Sequence, residues 1–158
     1  MNQNYLTKLL GALTVERAAL QKFIHLLEHE QGLLVENNTD QLLELAEQKS
    51  AQSISLNELA ESRRNLLRES IPVFSAETVH AWLEAHSAEC LAIWQEIRIL
   101  ASDAQQINNT NGELIQMKLR HNQKSLAVLS NAVNKANLYG PDGQPNFSPG
   151  SGRSLGSG

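Results

Sequence analysis

Cysteine is almost missing from this 158-residue chain. The one that occurs, Cys90, permits no internal disulfide and has no Cys or His at ligand spacing beside it, so it reads as a small buried hydrophobe in a reducing compartment. Aromatic residues make up only 4% of the chain, and the apolar remainder is mostly Leu, Ala and Ile, a palette that suits helices better than sheets. Basic clusters are also lacking: the net charge is -4 and the pI about 5.7. Affinity for a phosphate backbone needs grouped Lys and Arg, so no nucleic acid is expected as a partner. The densest group, Arg63, Arg64 and Arg68, is interleaved with Glu58, Glu61 and Glu69 and reads as a solvated helix face. Nor is there a long apolar run, because Lys8, Glu16 and Arg17 interrupt the first one before it reaches signal-peptide or membrane length. A cytoplasmic protein without membrane insertion is the expectation.

Proline and glycine are scarce until the end of the chain, where residues 140–158 hold three of the four prolines and six of the nine glycines. That composition, with Phe147 and Leu155 its only large apolar side chains, predicts a disordered tail after a helical domain over 1–139. Upstream of it the only proline is Pro72, which marks a boundary.

Between these breakers the sequence is periodic. Leu6, Leu10, Leu13, Leu20, Ile24, Leu27 and Leu34 recur at intervals of three, four and seven and predict a helix over 4–35, with Arg17 and Gln31 in the same seam. Long polar side chains in such a seam are expected to lay their stems on apolar surface and keep their heads in water. Asn37 and Asn38 then predict a turn, with Asn38 or Thr39 as N-cap and Asp40 in the first turn of the next helix. That second helix, up to residue 70, carries Leu42, Leu45, Leu56, Leu59 and Leu66, with Lys49, Gln52 and Arg63 completing the heptad.

After Pro72, Ser75 is a good N-cap and Phe74 is placed to staple onto Val79. The remaining periodic stretch is either one helix or a short one over 76–86 and a long one to about 137. Ile93, Ile97, Leu100, Ala104, Ile107 and Leu114 keep heptad spacing, after which the stripe shifts by one position at Asn111 and Gly112 to Ile115, Leu119, Leu126, Leu129, Val133 and Ala136. A helix of about fifty residues is about 75 Å long against about 45 Å for the first two, so its end lacks an internal partner. An uncovered apolar stripe marks a binding surface. The fold class predicted is therefore all-α, an elongated antiparallel bundle or coiled coil of three to four long helices.

No constellation suggests chemistry. His25 and His29 share a helix face, but the order HLLEHE lacks the pattern of zinc hydrolases and a third ligand. Glu77 and His80 supply one Glu-x-x-His where di-iron bundles need two. His86 and His121 are isolated, and no phosphate loop or nucleophile elbow occurs. Trp82 and Trp94 read as anchors between helices, since no basic residues flank them. Neither an enzyme nor a cofactor is expected.

Three stretches together resemble the flagellar export chaperone family FlgN. The first is the Leu-rich helix ending in Glu28, Glu30, Leu33 and Leu34, then Asn38, Thr39 and Asp40, then Leu42, Leu45 and Lys49; the second runs from Leu56 and Leu59 to Arg63. Most specific is the third: Asn108, Asn111 and Gly112, then Leu114, Ile115, Leu119, Asn122 and Leu126, followed by Tyr139, Gly140 and Gly143. The resemblance implies a dedicated cytoplasmic chaperone of type III flagellar export. Its implied cargo is the C-terminal helical segments of the hook-filament junction proteins FlgK and FlgL, kept monomeric until export, with the export apparatus a possible further partner. It also implies a cargo site on the last helix, where Ile115, Leu119, Leu126, Leu129 and Val133 form the floor, Asn111 and Asn122 set register and Met117 borders the stripe. The same seam also fits a self-associating structural coiled-coil protein. If residues 140–158 are a tail, deleting them leaves the Tm measured by circular dichroism unchanged.

Overall fold

The computed structural model describes residues 3–121. Within them are four helices and no strand: α1 (Gln3–Val35), α2 (Leu42–Leu67), α3 (Ala76–His86) and α4 (Ala88–His121), with a 3-10 turn, Thr39–Gln41, leading into α2.

α1 is central, and both α2 and α4 pack along it while hardly approaching each other's backbone. α2 runs antiparallel to α1. Two interhelical ion pairs, Arg63 with Glu16 and Lys49 with Glu30, have residue numbers that add to 79 in both cases, as one antiparallel register requires. α4 runs parallel to α1, because its contacts advance together along both helices. Cys90 lies over the Leu6 carbonyl, Glu96 pairs with Arg17, Asn111 reaches Leu27 and Glu30, and Lys118 reaches Asn37.

The α1 core follows a strict heptad pattern, Leu9, Leu13, Glu16, Leu20, Phe23, Leu27, Glu30 and Leu34, all buried. The α4 seam is equally regular, passing through Ile97, Ala101, Ala104, Asn108, Asn111 and Ile115, with Leu100, Ile107 and Leu114 half-buried at its flank. The shift expected at Asn111 and Gly112 does not occur. Asn108 and Asn111 themselves occupy seam positions, and a stripe traced through apolar residues alone steps sideways around them.

Turn chemistry explains the reversals. α1 ends in a Schellman motif: Asn37 adopts a positive φ of 61° and the N–H groups of Asn37 and Asn38 donate to the carbonyls of Leu34 and Leu33. Asn tolerates this left-handed conformation better than other residues with a Cβ. The expected cap of the second helix is not formed, since Asn38 makes no side-chain cap bond and the chain enters α2 through the 3-10 turn. α2 stops at Leu67 instead of residue 70, and a turn in which the Ile71 N–H donates to the Leu67 carbonyl leads to Pro72.

Ser75 caps α3 as expected. Its hydroxyl accepts from the Thr78 N–H at 3.1 Å, and the Thr78 hydroxyl accepts from the Ser75 N–H at 2.8 Å. Val79 is buried while Phe74 stays exposed. The third helical region is split: Ser87 is extended, ends α3 and offers its hydroxyl to the Cys90 N–H at the start of α4. At this end Trp82 packs edge-on to Tyr5 and stacks on His86, and Trp94 is buried, so both tryptophans join helices.

Ser75→Ala removes the acceptor for the first turn of α3 and is expected to cost about 1 kcal/mol. The measurement is urea unfolding, where the midpoint falls and the slope stays unchanged.

Candidate partner-binding site

Two polar layers cross the apolar interior. In the first, Arg63 Nη1 donates to Glu16 Oε2 at 2.6 Å, with both side chains about 6% exposed. Its guanidinium lies 4.8 Å from the centroid of the Trp94 ring, so α1, α2 and α4 meet there. Arg63 is thus a core residue and not part of a solvated face; of its neighbours, Arg64 and Arg68 do stay outside, paired with Glu61. In the second layer Lys49 Nζ donates to both Glu30 oxygens at 2.9 and 3.2 Å, and Asn111 Nδ2 donates to Glu30 Oε1 and to the Leu27 carbonyl, each at 2.9 Å. Lys49 is fully buried.

Arg17 and Gln31, the seam residues expected to keep their heads in water, are half-buried, and Arg17 pairs with the exposed Glu96, whereas Glu16, Glu30, Lys49 and Arg63 are buried. Burial pushes the Glu16 carboxyl above the ordinary carboxylate range, and Arg63 offsets only part of this. Burial likewise pulls the Lys49 ammonium below its ordinary range, with Glu30 offsetting part. The layers are costly, and what they secure is geometry.

The expected site residues divide accordingly. Asn111 and Ile115 are fully buried in the bundle, so they hold α4 on α1 and offer no surface to a partner. Leu119 is half-buried at the end of the core, and Met117 beside it is 48% exposed. Asn122, Leu126, Leu129 and Val133 lie outside the described residues. At Lys118, whose ammonium donates to Asn37 Oδ1, α4 has drawn level with the turn between α1 and α2. The α1–α2 hairpin has no residue above its own turn with which to flank a longer α4.

Among the described residues no three His, Cys, Asp or Glu are grouped to hold a metal ion. His25 is largely exposed, and Glu77 is an exposed carboxylate held below its ordinary range by hydrogen bonds to its own backbone and to Ser75.

A family profile described as FlgN protein matches residues 1–146. The chain belongs to the FlgN family. FlgN proteins are flagellar export chaperones, not enzymes. No curated protein and no solved structure matched the chain. No described helix of this FlgN-family chain is long and apolar enough to cross a membrane.

The members of the polar layers that periodicity missed, Glu16 and Glu30, did carry a signal. Glu16 and Glu30 are two heptads apart, as are Lys49 and Arg63, and antiparallel helices match such pairs. Removing one partner leaves a buried charge alone, so Glu16→Ala or Arg63→Ala is expected to destabilise by about 3 to 5 kcal/mol, whereas Glu16→Leu with Arg63→Met should match or exceed the wild type. Urea unfolding of the three variants checks this.

Proposed function

We propose that this FlgN-family chain is the chaperone of the hook-filament junction proteins FlgK and FlgL, holding their C-terminal helical segments in the cytoplasm until export. The observation that carries the reading is the end of α4. The helix reaches the hairpin turn at Lys118, and the sequence beyond it continues the apolar pattern through Leu126, Leu129 and Val133.

Leu119 at the edge of the core begins this line, and Asn122 within it sets register. An amphipathic segment that is poorly folded before assembly gains an apolar partner there, which lowers its tendency to aggregate. Four side chains each losing about 60 Å² contribute about 6 kcal/mol at about 25 cal/mol per Å². Ordering the cargo takes part of that, leaving binding that a transfer step can reverse. Residues 140–158, rich in glycine and proline, take no part in holding cargo in this reading.

Titration calorimetry against the C-terminal segment of FlgK or FlgL from the same organism, with light scattering, tests the proposal. Saturable one-to-one binding is expected, and Leu126→Asp should reduce it beyond detection without changing helicity by circular dichroism. An unfolded Leu126→Asp variant would make the line part of the core. A free protein that is a tight dimer and binds neither segment would favour self-association instead.

A further inference from the structure

We propose that the tip of the α1–α2 hairpin forms a second wall of the cargo site, with Leu43 as its apolar contact and Glu36, Asp40 and Glu44 as its charged border. Its occupant is an amphipathic helix of the cargo whose apolar face is edged by Lys or Arg. The inference rests on the chaperone reading and adds to it a surface on a different helix.

Leu43 and the end of α4 stand at one height. Glu30 binds Lys49 of α2 and Asn111 of α4 at once, so those two residues are level. Leu43 lies six residues back along α2 and Lys118 seven residues on along α4, which carries them about 9 and about 10.5 Å towards the same end of the bundle. Leu43 is therefore level with Lys118 and Leu119, where α4 passes the hairpin.

The heptad lines set the direction. On α1, Arg17 pairs with Glu96 of α4, while Tyr5, on the other flank of the α1 seam, donates its hydroxyl to the Leu66 carbonyl of α2, so the line of Leu45, Gln52, Leu59 and Leu66 lies on the flank of α2 away from α4. Leu43 belongs to the opposite line, with Ser50, Asn57 and Arg64, on the α4 side. On α4, Trp94 meets Arg63 of α2, so its heptad partners Ala101, Asn108 and Ile115 mark the side that faces α2. Leu119 lies on the line next to it. Leu119, in the last described turn of α4, is thus on the α2-facing side, and Leu43 stands level with it on the α4-facing side of α2.

Leu43 is 45% exposed although it is a leucine in the first turn of a long helix. At this end of the hairpin Glu36, Asp40, Glu44 and Glu47 are all exposed, and none of them is in an ion pair among the described residues. The last described turn of α4 carries Lys118, Arg120 and His121 instead. A helix lying between the two therefore meets carboxylates on its hairpin side, and cationic edges on that side match them.

The test uses the full chain and the FlgK C-terminal segment in titration calorimetry. Leu43→Asp is expected to weaken binding at least tenfold, while Ile54→Asp, on the same helix and 49% exposed, leaves it within twofold. Asp40→Asn with Glu44→Gln should weaken binding less and flatten its dependence on salt. Both exposed positions spare the core, so the Tm of each variant should stay close to that of the wild type. If Leu43→Asp binds like the wild type while Leu126→Asp does not bind, the hairpin is outside the site and only the chaperone reading stands. Tighter binding by Leu43→Asp would mean that the chain's own C-terminal residues cover the tip, and a wild-type dimer dispersed by Leu43→Asp would mean that a second copy does; either overturns the inference. A wild-type chain that binds neither FlgK nor FlgL overturns the chaperone reading together with it.

Discussion

The Glu30 carboxylate holds the bundle in register. It accepts two hydrogen bonds from Lys49 and one from Asn111, so a single group ties α2 and α4 to α1 at one height. Sliding α2 along α1 by one heptad would set Glu30 against Leu42 or Leu56 and strand Lys49 in the apolar interior. An unpaired buried charge costs about 3 to 5 kcal/mol, whereas leucines exchanged for leucines cost little. The apolar heptads supply the attraction between helices, and the polar layers select one alignment among several that the leucines alone would accept.

That alignment decides where the bundle ends. With α2 and α4 each referred to α1 by the same group, α4 draws level with the hairpin turn at Lys118.

The elements were largely legible before the structure. Leucine periodicity gave α1, Pro72 and Ser75 gave the break before α3, and the two alternatives after Ser75 included the one observed, a short helix and a long one. Less legible was the interior. Arg63 read as surface because charged neighbours surround it in sequence, yet its own heptad line points inward and Glu16 waits there. Asn111 read as a contact for cargo and is spent inside, on Leu27 and Glu30. In each case a polar residue at a core position looks like an interruption until the residue that satisfies it is known, and that residue is 47 to 84 positions away along the chain.

By itself the sequence determined the helical class, the places where the chain turns and the family to which it belongs, because propensity, breakers and motif order are local and survive in a linear reading. Tertiary structure alone decided which polar residues lie inside, that α4 runs parallel to α1, and how far α4 has travelled when the hairpin ends. Those depend on pairings between residues distant in sequence, and a heptad pattern repeats too uniformly to say which turn of one helix meets which turn of another.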